Sequence, residues 1–148
     1  MAEEEEEEDH PLEQKLLSTE VESLDLVLKG QLEALMEQEK PYLNPRLTLS
    51  DLASLLGTNI HQLSKLINEG FDKNFFDFIN SYRVREFQRR AVLPEYKNQT
   101  LLAIAFSVGF NSKTAFNRSF KKLTKKTPRQ YLKSHEKPDG HSPLAVES

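Results

Sequence analysis

The sequence predicts an all-α protein of about seven helices, arranged as two bihelical units joined by a long central helix. Three observations carry that prediction. Apolar residues recur at spacings of three and four, the period of one helix face. A succession of Thr, Asn and Ser residues stands just ahead of short amphipathic stretches, where helix N-caps belong. No segment combines sustained apolar–polar alternation with hairpin signals.

The elements follow in order. Residues 1–11 open on seven consecutive acids, Glu3 to Asp9. Such a run repels itself, and an acidic tail without order is expected there. Residues 12–40 form an amphipathic helix, with Leu17, Val21, Leu24, Leu28, Leu32 and Leu35 on one stripe. That stripe suits a helix capping the core, or one pairing with a second copy of the chain. "EKPYLNP" ends it, because proline cannot continue a helix interior.

Residues 41–74 hold the first bihelical unit. Thr48 with Asp51 reads as a capping box ahead of a helix closed by Gly57. Asn59 caps the next helix, with Gln62 in the reciprocal position. Residues 75–92 form the central helix, opened by Asn74 with Asp77. Residues 98–135 hold the second unit. Thr100 opens a helix closed by Gly109, Ser112 opens another, and Thr127 caps a last short helix with Pro128 at its first position. Residues 136–148 are expected to be a second disordered tail.

The chain has 148 residues and a net charge of −3, but the charge is segregated. Residues 1–40 carry 14 acids and 3 bases, residues 41–135 carry 6 acids and 16 bases, and residues 136–148 carry 3 acids and 1 base. From Lys97 to Lys133 there are nine Lys or Arg and no acid. A face so charged suits a polyanion. There is no cysteine, which removes disulfides and thiolate metal sites. His10, His61, His135 and His141 show no metal-ligand spacing, so neither metal nor cofactor is expected. No apolar run approaches the ~20 residues of a membrane span. The start is anionic where a signal peptide would be basic and then apolar. A soluble, cytoplasmic segment with no membrane contact of its own is therefore expected. No paired carboxylates, Ser/His/Asp set or Gly-rich phosphate loop supports an enzyme.

An internal repeat is the most specific feature. "LASLLGTNIHQLSKLI" from Leu52 resembles "IAFSVGFNSKTAFNRSF" from Ile104. Ala53 matches Ala105, Gly57 matches Gly109, and Asn59 matches Asn111. After one extra residue in the second turn, Leu63 matches Phe116, Lys65 matches Arg118, and Ile67 matches Phe120. Alanine lets a second helix cross closely, and glycine four residues later permits the left-handed backbone of a sharp turn. Helix, tight turn, helix is the logic of a helix-turn-helix.

The second copy and its continuation, "IAFSVGFNSKTAFNRSFKKLTKKTPRQYL", resembles the signature of the AraC/XylS-type transcription regulators. Ile104, Ala105, Gly109, Phe110, Phe116, Arg118, Phe120, Lys121, Lys122, Thr127, Pro128 and Tyr131 fit that pattern, and the likeness spans roughly residues 24–133. One departure is Lys125, where the family usually has glycine. The stretch from Glu39 to Val84 is similar to a branch in which this domain is the C-terminal cytoplasmic output of a larger, often membrane-anchored, sensor. The resemblance implies sequence-specific binding of double-stranded DNA as the output domain of a transcription regulator, with two recognition helices in successive major grooves. It allows RNA polymerase as a further partner, and a homodimer through the N-terminal helix. The alternative is a helical protein-interaction module whose basic face docks an acidic partner.

Helical geometry and the resemblance together give a site. In the first recognition helix Ile60, Leu63, Leu66 and Ile67 should face inward, leaving His61, Gln62, Ser64, Lys65 and Asn68 outward. In the second, Phe116 and Phe120 face inward, with Ala115 at the boundary. Base contacts are expected from His61, Gln62, Ser64 and Lys65, and from Lys113, Thr114, Asn117 and Arg118. Phosphate contacts are expected from Thr48, Asn59, Lys73, Asn111, Ser112, Lys121, Lys122, Lys125, Lys126 and Arg129. Phe75, Phe78, Ile79, Tyr82 and Phe87 should pack the central helix against both halves. Arg83, Arg85, Arg89 and Arg90 are expected at the DNA backbone or paired with acids of the N-terminal helix.

Overall fold

A computed structural model describes residues 2–134, with side chains from Leu12 onward. Seven α-helices follow one another without a strand among the described residues: α1 (Ala2–Gln38), α2 (Leu49–Leu56), α3 (Ile60–Gly70), α4 (Phe75–Ala91), α5 (Leu101–Ser107), α6 (Lys113–Thr124) and α7 (Pro128–Ser134). Short 3-10 turns at Pro41–Leu43 and Pro94–Tyr96 connect α1 to α2 and α4 to α5. The tail expected over 136–148 lies outside the described residues.

The helix starts are chemical. The Thr48 hydroxyl accepts from the Asp51 N–H at 3.0 Å, and the Asp51 carboxylate accepts from the Thr48 N–H at 3.1 Å. Asn59, Asn74, Thr100 and Ser112 each accept from the backbone N–H three residues on. Each such cap is worth about 1 kcal/mol. Thr127 and Gln130 form a further reciprocal pair at α7. The reciprocal role expected of Gln62 does not form. Its side-chain oxygen accepts instead from the Thr58 hydroxyl at 2.6 Å.

The core divides in two, and α4 belongs to both parts. Phe78, Ile79 and Tyr82 join Leu52, Ala53, Leu63, Leu66 and Ile67 of the first bihelical unit. Val84, Phe87 and Ala91 join Ile104, Ala105, Phe116 and Phe120 of the second. Burying each large apolar side chain stabilises by about 1.5–3 kcal/mol. As expected, Phe78, Ile79, Tyr82 and Phe87 are buried and Phe75 packs partly against the first core. Leu43 touches both clusters.

Helix α1 departs from the expectations over its N-terminal part. Its backbone is helical from Ala2, through the acidic run for which no order was expected. Acids near a helix N-terminus complement its partial positive charge, which favours that conformation. Leu32 and Met36 are buried in the first core, with Leu28 and Leu35 partly so. Leu17, Val21 and Leu24 are exposed, at 60, 49 and 66%. The stripe therefore caps the core only from Leu28 onward, and its earlier part is exposed.

Candidate nucleic-acid interface

Each bihelical unit places a helix start and an outward polar face at the surface. In α3, Leu63, Leu66 and Ile67 form the buried arc. Ile60 corrects the expectation: it is 43% exposed. It is the first residue of α3 and extends one turn beyond the edge of the core, so its place on the apolar stripe does not bury it. His61, Gln62, Lys65 and Asn68 are exposed and Ser64 is half-buried. In α6, Phe116 and Phe120 are buried and Ala115 is half-buried, while Lys113, Thr114, Asn117 and Arg118 are exposed. The eight residues expected at bases therefore lie on the outer faces of their helices. Among the described residues Arg118 makes no ion pair.

The residues expected at phosphate fall into two groups. Thr48, Asn59 and Ser112 are the N-caps of α2, α3 and α6, and Asn111 precedes the last of these. The side-chain oxygens of Thr48, Asn59 and Ser112 already accept from the helix, so only their remaining donors are free for an anion. The partial positive charge of each helix start adds to that. The other group is cationic. Lys121, Lys125, Lys126 and Arg129 are exposed around the end of α6 and the start of α7. Lys73 lines a shallow cleft with Arg85, Gln88 and Thr124. Lys122 is engaged: its Nζ lies 2.6 Å from Asp77 Oδ2, across from α6 to the first turn of α4. One of its three donors is taken by that carboxylate, which also offsets its charge toward an anion.

Lys125 takes the left-handed conformation, φ 64°, at the C-cap of α6. The turn keeps the glycine-like shape despite the lysine, and its N–H donates to Lys121 O at 2.8 Å. Such a conformation costs a non-glycine residue about 1 kcal/mol.

The arginines of α4 are engaged within the domain, and of the two roles expected of them the pairing with acids of α1 does not occur. None pairs with an acid of α1 among the described residues. Arg83 is buried and donates Nε to Tyr42 O at 2.7 Å, Nη2 to Asn44 O at 2.9 Å, and Nη1 to Asn80 Oδ1 at 2.9 Å. Burial pulls its pKa down to about 10. Glu86, also buried, accepts from Arg89 at 2.8 Å and from Arg90 at 2.9 Å, and lies 3.6 Å from Lys40 Nζ. The hydrogen bond from Arg89 holds its carboxyl at about 2, aided by Arg90 and Lys40 and against the effect of burial. Arg85 lies over the Tyr82 ring, 4.6 Å from its centroid. Sequence reasoning missed these roles because arginines on a helix flank look alike until a carbonyl or carboxylate is brought to them.

The acids of α1 do approach the interface elsewhere. Glu22 and Asp25 line a cleft with Lys29, Lys65 and Glu69 along the edge of α3. Lys29 holds α1 there by donating to Gly70 O at 3.0 Å, its ammonium 4.8 Å from the Phe71 ring centroid.

Among the described residues no helix is long and apolar enough to cross a membrane. A family model described as "Helix-turn-helix domain" matches residues 52–134. An uncharacterized HTH-type transcriptional regulator of Staphylococcus aureus (strain COL) is 34% identical over 85 residues, which is 57% of this chain and 11% of that protein. The chain thus spans about a tenth of the length of such relatives. The C-terminal domain of the two-component response regulator yesN from Fusobacterium nucleatum is 27% identical with a TM-score of 0.53, over 70% of this chain and 95% of that one. A transcriptional regulator from Chromobacterium violaceum, described by its AraC-type DNA-binding domain, shares the fold at a TM-score of 0.63 and 17% identity, over 78% of this chain and 98% of that one. With its paired bihelical corners, shared central helix and matching family model, the chain belongs to the AraC-type helix-turn-helix family of DNA-binding domains.

Proposed function

We propose that this chain reads a specific duplex DNA sequence as the output domain of a transcription regulator, with α3 and α6 each entering a major groove. One observation carries the reading: both members of an internal repeat present exposed polar faces from helices anchored to a single continuous helix, α4. At 1.5 Å per residue α4 spans about 25 Å, a stiff spacer suited to grooves about 34 Å apart. Arg118 and Lys65, equivalent in the repeat, suit guanine O6 and N7, while Asn117 and Gln62 suit adenine. Lys121, Lys125, Lys126 and Arg129 supply charge that holds register without reading sequence.

Site selection from a random duplex library tests this. Lys65→Ala and Arg118→Ala should each relax preference at one position, by about 1–3 kcal/mol, and the two positions should lie about one helical turn apart. A uniform loss over all sequences would reduce both residues to phosphate contacts, and salt-sensitive binding to an acidic protein with no base preference on duplex DNA would favour the docking-module reading.

The exposed stripe of α1 supports a second element of the reading, pairing with another copy of this chain. Leu17, Val21 and Leu24, all exposed, follow the four-three spacing of a coiled-coil seam, which Leu28, partly packed on the first core, continues. Sedimentation should show a dimer that Leu17→Glu with Leu24→Glu converts to monomer; an unchanged mass for that variant removes the seam. Cytoplasmic placement belongs to the same reading, since the target is DNA.

A further inference from the structure

The segment that leaves α1 is wedged between the two halves of the domain. Lys40 breaks the helix with a left-handed backbone, φ 49°. Tyr42, two residues on, is buried and stacks on Tyr82 at 5.7 Å between centroids. Its carbonyl accepts from Arg83 of α4. On the far side stands the turn between α5 and α6. A methyl group on Gly109 would lie 2.2 Å from Tyr42 O and 2.7 Å from Arg83 Nε. Carbonyl, guanidinium and turn backbone are therefore in direct contact, and the Arg83 guanidinium also reaches over the Phe110 ring, 5.9 Å from its centroid.

A second arm runs parallel to the first. Glu86 draws Lys40 toward α4 and accepts from Arg90. Arg90 donates onward to Ser107 O, the last residue of α5, at 3.1 Å. Both arms begin on the residues just after α1 and end on the turn that aims α6. Neither touches the outward faces of α3 or α6.

We propose that Arg83, seconded by Glu86 and Arg90, is a positioning residue that fixes the separation between the two reading helices and so selects the spacing between the two halves of the DNA site. The inference rests on the DNA-reading function above. Apolar packing alone lets two half-domains rock on a shared helix, because it has no preferred direction. A guanidinium fork has fixed directions, and here it binds two carbonyls of one connector at once. The same joint gives α1 a route to the second half by way of Tyr42, itself part of the first core. A pull on Lys40 acts on Glu86 and Tyr42 together.

The test uses the 148-residue chain and duplexes in which the two selected half-sites are separated by spacers differing one base pair at a time. For the unaltered protein, affinity should fall about tenfold when one pair is added or removed, as for a single mismatch. Arg83→Lys keeps the charge and loses the fork. It should keep the base preferences of each half while the one-pair penalty shrinks to about threefold or less. Arg90→Met keeps the stem and removes the tie to Ser107, and should move the profile the same way by less.

A folded Arg83→Lys protein with an unchanged spacer profile overturns the proposal. So does a loss equal at every spacer, which would mark a purely structural role. If Arg83→Lys does not fold, Arg90→Met decides by the same criteria. An unaltered protein without base preference removes the DNA reading itself, a result distinct from either.

Discussion

The two bihelical units share a plan and differ in what surrounds it. Residues 41–74 carry three acids and three bases, a net charge of zero, whereas residues 98–135 carry eight bases and no acid. The first unit is buttressed by the acidic helix α1, whose Glu22 and Asp25 share a cleft with Lys65. Among the described residues Arg118 makes no ion pair. On DNA, counterion release scales with the number of phosphates neutralised, so the proposed reading expects most of the sequence-independent grip from the second unit. The first depends more on the fit of its outward side chains. Duplication of a motif has not duplicated its electrostatics.

The paired glycines make the same point sterically. Gly57 and Gly109 occupy equivalent places with φ of 69° and 111°. Around Gly57 an added methyl group would meet nothing within 4 Å, whereas at Gly109 it would meet a backbone carbonyl at 2.2 Å. One glycine answers to its own turn alone, and the other also to the contact between the halves.

The largest expected effect follows. Gly109→Ala should destabilise by about 3–5 kcal/mol, since a backbone carbonyl cannot yield as a side chain can. Gly57→Ala should cost only the left-handed backbone penalty, about 1 kcal/mol. Chemical denaturation of both variants checks this, and equal losses would remove the distinction between the turns.

The second effect concerns Glu86. Its carboxyl is held at about 2 in the folded protein, below the ordinary 4.5. A depressed value means the folded state gains stability once the group is ionised. The contribution, about 3 kcal/mol from a shift of that size, is fully present above pH 4.5 and is lost as pH falls toward 2. Glu86→Gln should lower stability at pH 7 and flatten the acid limb of a denaturation series between those values. An acid limb matching that of the unaltered protein would show the Arg89–Arg90–Lys40 cluster to be without energetic weight.

The smallest effect tests the charged unit against itself. Lys125→Gly relieves the left-handed cap, and should raise stability by about 0.5–1 kcal/mol. It also removes one cation from the second unit, so the slope of log affinity against log salt should fall by about one. A stability gain with an unchanged salt slope would place Lys125 off the DNA.

Much of this was legible in residue order. The caps at Thr48, Asn59, Asn74, Thr100, Ser112 and Thr127 announced six helix starts, because a side-chain acceptor three residues before a free N–H is a local event. The repeat announced two reading helices and the aromatics of α4, because burial follows the helical period. Ile60 misled for want of an edge: periodicity says which stripe a residue occupies, not where the core stops. Of the two roles open to Leu17, Val21 and Leu24, capping the core fails for the same reason.

What residue order determined, then, was helix, turn and sidedness, each fixed by interactions within a few residues. What tertiary structure alone decided was the choice of partners. Arg83 found two carbonyls about forty residues away, Lys122 found Asp77, and Glu86 gathered Lys40 with two arginines of its own helix. Charged groups attract any opposite charge or dipole, so which they meet is settled only when packing of the apolar cores brings one candidate within hydrogen-bonding distance and leaves the others in water.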